Sequence, residues 1–286
     1  MDIEINILKD LEIQFKTELN LYGYSNIPED SNKLFIAYFK ILHRAISNNP
    51  RKIFKSDVFT IDAKYSDGLD YLEDKLSKGE NINIHQSKNI LDLNQNDSLL
   101  DDWGIHHLHL GSKVSEDGFI ERSGPLLYLF LTEESAYFLN ILKHGEWGND
   151  ELLAILDRNW PSLISHWQVR NLIDIENIDQ KSRQHIRKAG GLMFTKVNNK
   201  IFAPPGGGYM SSGTSTNALM ASDKFIIRLQ NIEKNILNNK RNYEKIFKKN
   251  LGVKPHKIQL KSSFYNGILY LIEENFNIRF PFEIKF

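Results

Sequence analysis

The stretch "DDWGIHHLHLGSK", from Asp101 to Lys113, sets three imidazoles, His106, His107 and His109, within four positions. Imidazole titrates near neutrality, so it serves as a general acid, a general base or a metal ligand. The run "GIHHLHL" predicts a short strand, in which successive side chains point to opposite faces. His107 and His109 are therefore expected on one face, about 7 Å apart along the strand, with His106 on the other. Such a pair can act as acid and base across a scissile phosphodiester. It also supplies half of a metal site, for which Asp101, Asp102, His144 and Glu146 are candidate completions. A strand edge whose histidines meet only neighbours and solvent is the plainest alternative.

A second group of chemically useful side chains lies in "ERSGPLLYLFLTEESAYFLNILKHGEW". Two apolar runs around the polar "TEES" predict a β-hairpin with strands buried on nearly both faces. Antiparallel pairing would bring Arg122, before the first strand, toward Lys143 and His144 at the end of the second. Guanidinium and ammonium groups there would hold a phosphate and stabilise the charge that grows on it in a transition state. Lysines and arginines at strand ends are equally common as plain solvent contacts.

Taken together, the segment from Trp103 to about Gly145 resembles the sheet of the RelE-type endoribonuclease toxins of bacteria. The likeness is carried by "RSGPLLYLFLTEESAYFLNILKH", an Arg followed by an apolar strand, a short acidic turn, a second apolar strand and basic or His residues at its end. The resemblance implies an endoribonuclease acting as a toxin or in antiviral defence. By the same resemblance Arg122 and Lys143 would contact phosphate, and His107, His109 or His144 would be the acid/base groups. No cofactor and no metal is expected. The implied partners are RNA, on the ribosome or free, and a cognate antitoxin protein. Two alternatives stand beside it. One is a non-enzymatic nucleic-acid-binding or regulatory module, and the other a His-coordinated, metal-dependent phosphohydrolase or nuclease.

The third feature is "APPGGGYMSSGTSTNALMASDK". Gly206, Gly207 and Gly208 permit close backbone approach, and Ser212, Thr214 and Ser215 precede a helix start, where free N–H groups favour an anion. A phosphate-binding loop is one expectation, an ordinary surface loop with a hydroxyl cap the other. The Gly-Lys-Ser/Thr of a P-loop and the spacing of a Rossmann fingerprint are both absent.

These residues need a scaffold, and 286 residues with 41% hydrophobic content can bury a substantial core. With no cysteine, disulfides, iron–sulfur clusters and thiol nucleophiles are excluded. The N-terminal segment carries no signal-peptide pattern and no apolar run reaches the roughly 20 residues of a membrane span, so a cytoplasmic protein is expected. The net charge is zero, but its distribution is uneven. Residues 1–104 hold 12 Lys/Arg against 18 Asp/Glu, whereas 223–261 hold 11 basic and 3 acidic residues. That basic stretch can mark a polyanion-binding face or a solvated helix surface.

Helical spacing runs through "DSNKLFIAYFKILHRAISNNPR", to about Asn49 with a cap at Asp30 or Ser31, and through "SDGLDYLEDKLSKGEN" to Gly79. A helix in "NDELLAILDRNWPSLISHW" is capped by Asn149 or Asp150 and broken at Pro161. A hairpin turning at Asn198–Asn199, a long helix over 217–250 and two terminal strands complete the pattern. The expected fold class is α+β, with a helical region over 1–95 and an α+β domain over 96–286 that contains the Gly-rich loop 204–216.

Overall fold

Apolar periodicity sets most elements of the chain. A computed structural model describes residues 2–143, 145, 150–172, 175–176, 178–252, 256–273 and 278–284. The first third carries β1 (Asp2–Ile5), α1 (Ile7–Leu21), α2 (Ser31–Arg44), β2 (Lys52–Lys55), α3 (Ser66–Lys78) and α4 (Ser98–Trp103). The middle carries β3 (Ile105–His109), β4 (Pro125–Leu131), β5 (Ser135–Lys143), α5 (Glu151–Asn159), β6 (Gln168–Val169), α6 (Gln180–Lys188), β7 (Thr195–Val197) and β8 (Lys200–Phe202). The last part carries α7 (Thr216–Asn238), α8 (Lys240–Leu251), β9 (Lys257–Tyr265), β10 (Ile268–Glu273) and β11 (Ile278–Glu283). The fold is α+β, and no helix among the described residues is long and apolar enough to cross a membrane.

The chain forms two compact units, Met1–Phe39 with Ala218–Phe286, and Lys40–Asn217. Neither boundary falls at the expected position near residues 90–100. The physical reason lies in β1, which pairs in parallel with β9 and so ties the first residues to the C-terminal part. In this first unit the sheet order is β1-β9-β10-β11. Helix α1 buries Ile7, Leu11, Phe15 and Leu19, one stripe at intervals of four, and Asn6 caps it by accepting the Lys9 amide. Phe15 stacks on Tyr38 at 3.8 Å, and Phe225 meets Phe264 at 5.1 Å, so the core of the unit is aromatic. The helix expected over 217–250 is interrupted at Asn239. Its backbone leaves the helical region, and its amide side chain takes the Asn235 carbonyl.

The second unit is built on a sheet of order β2-β5-β4-β3. The β4–β5 hairpin turns at Thr132–Ser135, as its polar residues predict, and carries a bulge between Tyr128 and Leu129. Alternate residues of β4 serve two cores. Leu126 and Tyr128 face α5 with Ile105 and Leu139, whereas Leu127 and Leu129 face the α3 side with Leu108, Leu69 and Leu72. This two-sided burial is why the strand reads as continuous apolar sequence. Gly68 lets α3 approach the end of β3, since a Cβ there would lie 1.7 Å from the Leu110 carbonyl oxygen. A small sheet, β6-β8-β7, includes the hairpin at Asn198 and Asn199, both at positive φ as a type I′ turn requires.

Two expectations for the N-terminal third change. Helix α2 begins at the Asp30 cap but ends at Arg44, not Asn49. The region also contributes the strands β1 and β2, the latter parallel to β5.

Candidate functional site

Strand β3 is the outer strand of its sheet, and its pairing with β4 sets His107 opposite Tyr128 and His109 opposite Leu126. Those two histidines share the face of Ile105, and His106 shares the face of Leu108, as the alternation predicts. His107 and His109 line a cavity of about 550 Å³ with Arg122, Arg44 and Asp97. Ser123 and Gly124, and the polar residues Gln86, Ser87, Asn89, Gln95, Asn96 and Ser98, complete most of its wall. The volume falls in the range typical of small-ligand sites.

Arg44 and Asp97 in this wall are each held at a helix end. Arg44 ends α2, is 6% exposed, and donates from Nη2 to the Gln95 carbonyl, while Gln86 donates to the Arg44 carbonyl at 3.1 Å. Asp97 caps α4, one carboxylate oxygen accepting the Leu100 amide at 3.1 Å and the other lying 3.8 Å from His107 Nδ1. Ser123 accepts the Leu110 amide at 2.8 Å and donates to the Pro125 carbonyl at 2.6 Å, which fixes the chain just after Arg122. Behind β3, the buried His85 donates from Nδ1 to the His109 carbonyl at 2.8 Å, with burial pulling its imidazole pKa below the usual value. His106 is lowered to about 4, chiefly by burial, with Asp97 opposing and His43 adding to the shift.

The remaining candidates fall elsewhere. Lys143 pairs in register with Pro125 and is exposed, and it does not line the cavity. The hairpin register runs out three residues after Arg122, so the expected gathering of Arg122 with Lys143 does not form the cavity wall. His144, and with it Glu146, lies outside the described residues. Asp101 meets His43 Nε2 at 3.3 Å, and Asp102 meets Arg187 Nε at 2.7 Å beneath Trp103, so both carboxylates are engaged away from the histidine pair. Among the described residues no three His, Asp or Glu side chains are grouped to hold a metal ion.

The Gly-rich loop braces α4. Gly206 donates its amide to the Asp102 carbonyl and Gly208 to that of Asp101, both at 2.8 Å, and Gly207 donates to Pro204 at 3.0 Å. These amides are spent on carbonyls. Glycine is needed because a Cβ at Gly206 would lie 2.1 Å from the Leu100 oxygen. Ser215 is buried and bridges to Tyr209, whose hydroxyl donates to the Ser98 carbonyl. Ser212 is exposed and donates to the Thr214 hydroxyl at 3.1 Å.

Sequence reasoning passed over Arg44 and Asp97. The signals are present, a basic residue in the last turn of an amphipathic helix and an Asp-Ser pair before the apolar "LL" of a short helix, but ordinary helix ends carry the same residues. Comparison with family models, curated proteins and solved structures returns no match.

Proposed function

We propose that the chain is a metal-independent endoribonuclease of the toxin or defence type, with the cavity on β3 as its site. The observation that carries this reading is the convergence of His107, His109 and Arg122 on one cavity, joined there by Arg44. Two guanidiniums against the single carboxylate of Asp97 suit a phosphodiester, and Arg122 and Arg44 retain N–H groups to donate to its oxygens.

In this mechanism His107 Nε2 takes the proton of a ribose 2′-OH. The resulting oxygen attacks phosphorus, and the bond to the 5′-oxygen breaks. His109 donates its proton to that leaving oxygen, giving a 2′,3′-cyclic phosphate and a free 5′-hydroxyl. Asp97, 3.8 Å from His107 Nδ1, stabilises the imidazolium that forms by its charge. Arg122 and Arg44 meet the charge that grows on the phosphoryl oxygens. An antitoxin would act most simply by covering this cavity.

The test is cleavage of single-stranded RNA in EDTA, with the product termini identified by mass. The expected result is a 2′,3′-cyclic phosphate, a bell-shaped pH profile, and a loss of about 10²- to 10⁴-fold in His107→Ala and in His109→Ala. A purified protein that cleaves no RNA with or without divalent ions overturns the proposal. Cleavage abolished by EDTA transfers the site to metal chemistry.

A further inference from the structure

We propose that the outer face of α8 is a docking surface for the phosphate backbone of single-stranded RNA. Helix α8 reads "KRNYEKIFKKNL". The Tyr243 ring meets Phe280 of β11 edge-on at 5.8 Å, which fixes the inward face of the helix. At roughly 100° per residue, Arg241, Lys245, Lys248 and Lys249 then fall within an arc of about 100° on the opposite side. All four are exposed. Among the described residues none of them is paired with a carboxylate, whereas other surface lysines are, as Lys257 is with Glu4 at 2.8 Å.

The geometry of the row selects the partner. Four cations over nine residues, Arg241 to Lys249, span about 12 Å of helix axis, and a nucleic-acid strand with its bases stacked carries about one phosphate per 3.4 Å of its axis. The row therefore matches three to four consecutive phosphates. A membrane-surface helix would need an apolar face free for lipid, whereas Tyr243 is already committed to Phe280. A protein interface would be expected to carry aromatic anchors, which this outer face lacks. The choice of RNA among nucleic acids rests on the nuclease reading above, but the cation row does not.

The experiment is fluorescence anisotropy with a labelled 12-nucleotide oligouridylate, in the His107→Ala background so that the probe stays intact. Affinity should fall about 50-fold between 50 and 200 mM salt if four phosphates are contacted, from a slope of roughly −0.7 per contact. The combined variant Arg241→Gln, Lys245→Gln, Lys248→Gln, Lys249→Gln should lose most of that slope. A control variant, Lys64→Gln, Lys88→Gln, Lys113→Gln, Lys181→Gln, removes the same charge from exposed lysines elsewhere and should keep it. Equal slopes in wild type and the α8 variant, or an equal loss in the control, overturns the proposal. So does α8-dependent sedimentation with phosphatidylserine vesicles in a protein that fails to bind the oligonucleotide. Because binding of an uncut probe is the readout, a failure of the nuclease reading leaves this result standing.

Discussion

Asp97 Oδ2 lies 3.8 Å from His107 Nδ1, while the other oxygen of the same carboxylate holds the amide of Leu100. One side chain thus starts α4 and stands behind a histidine of the cavity. The two roles separate by substitution, because Asn caps a helix about as well as Asp but carries no charge. Asp97→Asn should keep the melting temperature within a degree or two and lower kcat about tenfold or more with little change in KM. Asp97→Ala should add a stability loss of about 1 kcal/mol, and Asp97→Glu should restore part of kcat. If Asp97→Asn cleaves at the wild-type rate, the carboxylate is a cap and nothing more.

Gly206 is the contact point of the loop that braces α4. An Ala Cβ at this position would meet the Leu100 and Asp101 carbonyl oxygens at 2.1 and 2.5 Å, both backbone atoms that cannot swing away. Gly206→Ala should therefore cost on the order of 2–4 kcal/mol in urea unfolding. Gly213, at φ +76 with open space around its missing Cβ, gives the contrast. Gly213→Ala should cost only about 1–2 kcal/mol, the strain of a left-handed residue. A Gly206→Ala protein that unfolds like wild type but binds RNA less well would return the loop to its anion-binding reading.

The course of the chain around the site was legible where the signal is local. His107 and His109 share a face because a strand alternates, and the hairpins at Thr132–Ser135 and Asn198–Asn199 follow from their turn residues. What escaped is non-local. β1 finds its partner β9 across more than 250 residues, and β2 joins β5 from about 80 residues away, with no short-range pattern to announce either. The same limit hid Arg44, which reaches the cavity only because Gln86 and Gln95 return beside the end of α2. The Gly-rich loop meets the same limit. Its glycines are explained by the carbonyls of α4, over 100 residues earlier, and the loop sequence alone gives an anion and a backbone equal claim.

His106 gives the fold a dependence on pH. Its folded pKa is about 4, chiefly because burial disfavours the imidazolium, with His43, His107 and Arg51 adding to the shift and Asp97 opposing it. An unfolded histidine titrates near 6.5, so the unfolded chain takes up the proton first as pH falls. The stability contributed by neutral His106 is thus complete above pH 6.5 and is lost progressively between 6.5 and 4. Discounted for the partial exposure of the residue, the loss by pH 4.5 is on the order of 2 kcal/mol, or roughly 5 °C in melting temperature. His85, also lowered by burial, contributes in the same direction. His106→Leu removes the His106 contribution alone, so its melting temperature should fall less than that of wild type from pH 7 to 4.5. Parallel curves for the two proteins would show that His106 takes up its proton without opposing the fold.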